Sequence, residues 1–396
     1  MSEAVLRVFV PVAVAIAALA TVRAADRAVV RLDGSVVTPT AIDETVQRLM
    51  RAANVPGLAV AILNERKVAY VHAFGERDRD HHLPLTIDSV MSAASFSKAT
   101  FAYLVMQLVE ERTLDLDKPV YEYLPRPLPE YPRYADLDGD DRYRRITARM
   151  LLSHTAGFPN LRALNRGRLN INFEPGSRYA YSGEGIQLLQ LIVEEVTGAR
   201  LYGLMASRIF EPFGLKRTSM VWQLPFERDF ANGYDSDGRS LGPQRRRVAD
   251  AAGSMQTSIA DFSRFVAAVM QGKSLTRPIR TLMFTPQVTI TTRTQFPSLT
   301  TETTDRNDAI RLGYGLGWGL FFTPLGKAFF KEGHDNGWQH YAVAFDDRGV
   351  AIVLMSNSAN AESIFPELLE RLIANTYTPI EWEGYLPYDR KPPRGF

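Results

Sequence analysis

The sequence predicts an α/β (α+β) protein: one antiparallel sheet assembled from the two ends of the chain, flanked by helices, with a helical region between. Three observations carry this. Apolar, β-branched runs occur in hairpin pairs near both ends. The links inside those pairs are too short for parallel crossovers, so the strands must run antiparallel. Between the pairs, the apolar residues change to helical spacing and the chain becomes rich in loops.

In order along the chain, Arg7 precedes the apolar run VFVPVAVAIAALATV, and VRA at 22–24 follows it. A basic residue, a short apolar stretch and a small-x-Ala site read as a secretory signal ending at Ala24, with the folded domain over 25–396. The run is too short to span a bilayer, so no membrane insertion is expected once the signal is removed. The expected location is periplasmic or extracellular. DETVQRLMRAA (43–53) has helical periodicity, and GLAVAIL (57–63) and KVAYVHAF (67–74) form a hairpin across Asn64–Arg66. ITARMLLSHTAG (146–157) and GEGIQLLQLIVEEVTG (183–198) read as helices within an insertion of about 115–250, the second closed by Gly198. Strands are expected at 316–322, 327–333, 340–345 and 350–357, followed by an amphipathic helix around 361–376.

Composition narrows the function. The net charge is +2 and the one basic run is RRR at 245–247, which argues against nucleic acid and for a small-molecule substrate. The chain has no cysteine, which removes disulfides, thiol catalysis and thiolate metal sites. DLDGDD (136–141) has its glycine misplaced for a calcium loop, and His81 and His82 are adjacent in a polar loop, which suits solvent rather than a metal. There is no G-x-S-x-G elbow, phosphate loop or dinucleotide fingerprint. No metal or organic cofactor is expected.

The chemistry centres on MSAASFSKATFAYLVMQLVEE (91–111). Lysine occurs only eight times in the chain, and one of these, Lys98, falls inside an apolar helix. If that helix starts near Ser95, Ser95 and Lys98 stand at i and i+3 with Cβ atoms about 5–6 Å apart. Serine needs a base, and a lysine can serve when burial and nearby positive charge lower its pKa. The helix N-terminus would also favour a developing oxyanion. The other reading of S-x-x-K alone is a capping serine beside a lysine that reaches for solvent.

The surrounding residues resemble the nucleophile region of the serine β-lactamase and penicillin-binding protein family, most closely its class C and esterase branch. The likeness continues through ITARMLLSHTAGFPN, FEPGSRYAYSGEGIQLLQLIVEEVTG, AAGSMQTSIADFSRF, YGLGWGL and EGHDNGWQHYAVAF, covering about 43–376. It implies Ser95 as nucleophile, Lys98 as base and Tyr181, in the position of the Y-x-N tyrosine, as proton relay. It places His334 at the third motif and gives the oxyanion hole to the N–H groups of Ser95 and Gly337; His154, in LSHTAG, would stabilise a turn. Two positions depart from the pattern: Gly183 replaces the asparagine of Y-x-N, and Asn336 replaces the glycine of H-x-G. Loss of an amide at 183 favours esters over lactams and peptides, unless Asn336 supplies one. The expected protein is an exported serine hydrolase acting on an ester, amide or lactam, most of all an ester. Its rivals are a β-lactamase, a D-amino-acid peptidase and a catalytically silent binding protein.

Overall fold

The structure, a computed structural model, describes residues 28–390; the expected signal at 1–24 lies outside them. Helix α1 (Pro39–Ala53) starts four residues earlier than its periodicity suggested, because Thr38 caps it and Pro39 fits the first turn. Strands β1 (Gly57–Asn64) and β2 (Lys67–Asp78) form the expected hairpin. Glu65 and Arg66 close it with φ of 51° and 60°, the left-handed pair that a two-residue turn requires. A short β3 (Leu83–Pro84) follows, and then α2 (Phe96–Glu110).

The region after α2 is mostly single 3-10 turns around α3 (Gly183–Thr197). The helix expected over 146–157 shortens to Ala148–Leu152, because His154 turns left-handed at φ 58°. Gly198 caps α3 at φ 65°, as its sequence signal indicated. Helix α4 (Ile259–Gln271) leads into β4 (Val288–Thr289), β5 (Gly313–Tyr314), β6 (Gly319–Thr323), β7 (Gly326–Asp335), β8 (Trp338–Phe345) and β9 (Val350–Ser356), and α5 (Phe365–Ile373) closes the domain.

Nine strands form one antiparallel sheet in the order β4-β5-β6-β7-β8-β9-β1-β2-β3. The β9–β1 pairing, Ala351↔Leu63 through Ser356↔Leu58, joins the two ends of the chain. Both faces of the sheet are covered. Leu58, Val60 and Ile62 join the core under α1 and α5, while Ala59, Ala61 and Leu63 face the core that holds α2 and α4. Burial on both faces makes these strands read as continuous apolar runs instead of alternating ones. Helix α2 is buried on every side from Phe96 to Leu108 and is therefore a central element. Among the described residues no helix is long and apolar enough to cross a membrane.

The link between β5 and β6 sits directly on α2. At Gly317, φ is 90°, and a Cβ there would lie 2.2 Å from the Ala102 methyl. Gly317→Ala combines a clash with an unfavourable backbone and is expected to cost about 3 kcal/mol, read as a lowered urea midpoint. An unchanged midpoint would show that α2 can move aside.

Candidate active site

Ser95 occupies the N-cap position of α2, and the residue before it, Ala94, is left-handed at φ 46°. This costly conformation for an alanine is held from both sides. Ser97 Oγ donates to Ala94 O at 2.6 Å, and Met255 N donates to Ser97 Oγ at 3.1 Å. Further back, His340 Nε2 meets Ser92 O at 2.6 Å, while its Nδ1 accepts from Ser356 N at 3.2 Å. These two bonds fix the tautomer and tie the chain ahead of Ser95 to β8 and β9. Ser95 is half-buried and lines a cleft, whereas the residues on either side of it are buried.

Lys98 Nζ donates to Ser95 Oγ at 2.9 Å and to Ala252 O at 2.6 Å. Only 4% of Lys98 is exposed, and neither partner carries a negative charge. Burial, aided by the positive charge of Lys331, pushes its pKa down to about 7, against smaller opposing effects of Asp250, Glu332 and Asp335. A free amine is therefore available near neutral pH within hydrogen-bond reach of the serine.

Tyr181 stands between two lysines. Lys331 Nζ donates to its hydroxyl at 3.1 Å, and Lys98 Nζ lies 5.1 Å from its ring centre. Burial first, and Glu332 second, raise its pKa well above the ordinary value, with hydrogen bonding to Ser95 opposing. It is a neutral phenol. Behind it, the His154 ring packs at 4.5 Å and accepts from Ser182 N at 3.2 Å; burial lowers its pKa so far that it stays uncharged. The expected turn-stabilising role gives way to a long-range one: the His154 side chain ties its loop to Ser182 at the start of α3 and packs against Tyr181.

Lys331 was not singled out by the sequence reading. Its side chain is fully buried, with Nζ 2.6 Å from Glu332 Oε1, which in turn accepts from Gln295 Nε2 at 3.1 Å. The rarity of lysine, which drew attention to Lys98, applies equally to Lys331. What places it here is strand register: β6 pairs with β7 only as far as Gly319↔Phe330, so residues 331–335 run past the end of that neighbour, where Lys331 reaches the Tyr181 hydroxyl and His334 and Asp335 line the cleft with Ser95. At Gly333, a Cβ would lie 3.0 Å from Ala93 O, so a bare backbone lets β7 lie against the Ser95 turn.

The other expected residues are distributed unevenly. A cleft of about 690 Å³ is lined by Ser95, Lys98, Asn160, Ala252, His334 and Asp335, among others. His334 is at its mouth, bonded at 2.7 Å to Glu362, whose carboxylate raises its pKa; the cation on Tyr181 is Lys331 instead. Gly337, expected in the oxyanion hole, lies in the β7–β8 turn against Tyr234 and Leu241, and Asp335 takes the place on the cleft wall. Asn336 is exposed at the same turn and does not fill the space beside Gly183. Gly183 opens α3 in an ordinary conformation; a Cβ there would meet Asn160 O at 2.9 Å. Arg245, Arg246 and Arg247 border the cleft, the first paired with Glu227 and the second with Asp335. His81 and His82 are exposed on acidic partners, and no cluster of metal-ligating side chains occurs among the described residues.

The family model described as Beta-lactamase matches residues 42–374. A β-lactamase of Pseudomonas fluorescens is 25% identical over 305 residues, 74% of this chain and 77% of its own. Penicillin-binding protein 4 of Amycolatopsis lactamdurans is 26% identical over 358 residues, 83% and 88% of the two chains. In structure, the octameric penicillin-binding protein homologue from Pyrococcus abyssi superposes with a TM-score of 0.68 at 22% identity, over 86% of this chain and 78% of its own, a likeness of fold.

Because Lys331 lowers the pKa of Lys98 while Glu332 raises it, Lys331→Met removes the first influence and leaves the second. The acid limb of the kcat/KM–pH profile is expected near pH 7 in the native protein and at higher pH in the variant. A limb that stays in place would separate Lys331 from the ionisation of Lys98.

Proposed function

The chain belongs to the β-lactamase family and is a serine hydrolase, and on that premise we propose that it hydrolyses esters through an acyl-enzyme on Ser95. The observation that carries this is the buried Lys98 amine 2.9 Å from Ser95 Oγ, with a pKa near 7. In acylation, neutral Lys98 takes the Ser95 proton as Oγ bonds to the carbonyl carbon. The carbonyl oxygen becomes an oxyanion beside the Ser95 N–H at the start of α2 and the open backbone edge of β7. Collapse breaks the bond to the leaving group, which receives the proton from the Lys98 ammonium by way of the Tyr181 hydroxyl. Water then attacks the acyl carbon as Lys98 takes its proton, and collapse breaks the bond to Ser95 Oγ, which recovers that proton from the Lys98 ammonium as the acid departs.

Two features support esters as the favoured substrates. Gly183 brings no side chain to the cleft. Tyr181 holds its proton tightly in its buried setting, and an alkoxide or phenolate leaves with less need of proton delivery than an amine does. The intact Ser95, Lys98 and Tyr181 cluster also favours an active enzyme over a silent binding protein. We extend the proposal to export, on the leader-like residues 1–24.

A fluorophosphonate probe is expected to label native protein at Ser95 and to leave Ser95→Ala unlabelled. Lys98→Arg keeps the charge but cannot give up its proton, so its turnover of short aryl esters should fall as far as that of Lys98→Ala. Near-native turnover in the arginine variant would make Lys98 an electrostatic residue rather than a base. If cephalosporins were turned over with higher kcat/KM than the esters, the ester preference would be reversed.

A further inference from the structure

Gln295, in the loop between β4 and β5, took no part in the sequence reading, yet its side chain is buried and bonded to the edge of the catalytic cluster. Its Nε2 donates to Glu332 Oε1 at 3.1 Å, and the same oxygen accepts from Lys331 Nζ at 2.6 Å. A carboxylate only accepts, so the end of the Gln295 amide that meets it is the NH₂ group. Lys331 also donates to the Tyr181 hydroxyl at 3.1 Å. An unbroken line of hydrogen bonds therefore runs from Gln295 through Glu332 and Lys331 to the phenol.

The loop that carries Gln295 is fastened on two sides. Gln295 N donates to Trp382 O at 2.8 Å, and Trp382 Nε1 donates to Thr292 Oγ1 at 3.1 Å. Trp382 is buried in a single helical turn, Ile380–Glu383, which lies beyond the residues that the family model matches. From the other side Arg178, three residues before Tyr181, donates to Thr300 O at 2.9 Å. The neighbour of Gln295, Phe296, sets its ring across that of Tyr181 with 5.7 Å between centres. Glu383, next to Trp382, is also buried, but burial first and Glu332 second raise its pKa well above the usual carboxylate range, and Lys331 pairs with Glu332.

This arrangement has a chemical consequence at Tyr181. A phenol oxygen that accepts from an ammonium keeps its own O–H free for another partner, and the nearby charge makes that proton easier to give up. A lysine ammonium sits on a flexible stem, so its place is set by what holds it. Here Glu332 holds it, and Gln295 fixes the carboxylate. We propose that Gln295 is a positioning residue for protonation of the leaving group: by fixing Glu332 it keeps the Lys331 ammonium on the Tyr181 hydroxyl. This rests on the serine-hydrolase reading and extends its machinery to the C-terminal segment, where Trp382 anchors the loop.

The test compares two esters with one acyl group, 4-nitrophenyl butyrate and benzyl butyrate. 4-Nitrophenolate departs readily without a proton, whereas benzyl alkoxide, a far stronger base, depends on one. The kcat/KM of each ester reports acylation, the step in which the leaving group departs, and the ratio of the two cancels their intrinsic reactivities. Gln295→Met keeps the length of the side chain and removes the donor; Gln295→Asn keeps the amide and draws it back by one methylene. Thermal melts check the fold of each, and either folded variant decides the matter. In both, kcat/KM for benzyl butyrate is expected to fall about tenfold relative to that for 4-nitrophenyl butyrate, the loss that goes with a hydrogen bond to a charged group. A ratio equal to the native value, including one preserved while both esters slow together, would overturn the role of Gln295 and leave the hydrolase reading intact. Native protein that reacts with neither ester nor the fluorophosphonate probe would overturn both.

Discussion

A lysine side chain buried against a hydroxyl and a main-chain carbonyl, with no carboxylate bonded to it, is the constraint on which this structure turns. Helix α2 is buried all round because it is the central element of its layer, and Lys98 is buried with it. Its partners, a hydroxyl and a main-chain carbonyl, satisfy hydrogen bonds but not charge. Desolvation therefore favours the free amine, and the chain gains a base at the cost of an easy cation. The neighbouring groups follow the same rule with different outcomes. Lys331, equally buried, has Glu332 beside it. His154 and Tyr181 settle into their neutral forms.

The sheet supplies the precision that such an arrangement needs. His340 bonds to the chain before Ser95 and to β9, so the nucleophile turn is referenced to the joint between the two ends of the chain. Past Phe330, β7 has no strand on the β6 side among the described residues, and this free edge is where the middle region docks Tyr181. Helix and strand thus meet at one place, with Gly333 permitting the contact and Asn160 lining the cleft that opens beside it. Acyl transfer gains from fixed positions of this kind, since the groups need not reorganise as charge develops.

Much of this was legible in the sequence, for local reasons. The i, i+3 spacing of Ser95 and Lys98 needs only a helix to become a contact, and the hairpins announce themselves by apolar runs with short links. The segment 146–157 read as helix because its apolar spacing continues to Leu152, whereas the left-handed His154 is a tertiary choice that pattern does not reveal. Residues whose place depends on register were harder. Asp335↔Trp338 closes the β7–β8 hairpin, which carries Asn336 and Gly337 out to the turn and leaves Asp335 on the cleft. Lys331 reaches Tyr181 only because β6 ends opposite Phe330. Asn160 meets Gly183 across 23 residues of chain, with no periodic signal to announce it.

The central claim, that burial makes Lys98 a free amine near neutral pH, can be measured directly. Only eight lysines are present, so a protein labelled with ¹³C and ¹⁵N in lysine gives a side-chain NMR spectrum sparse enough to assign Lys98 by comparison with a Lys98→Arg variant. Titration of its Cε shift should show a midpoint near 7. A midpoint close to that of an ordinary exposed lysine, about 10.4, would contradict the account.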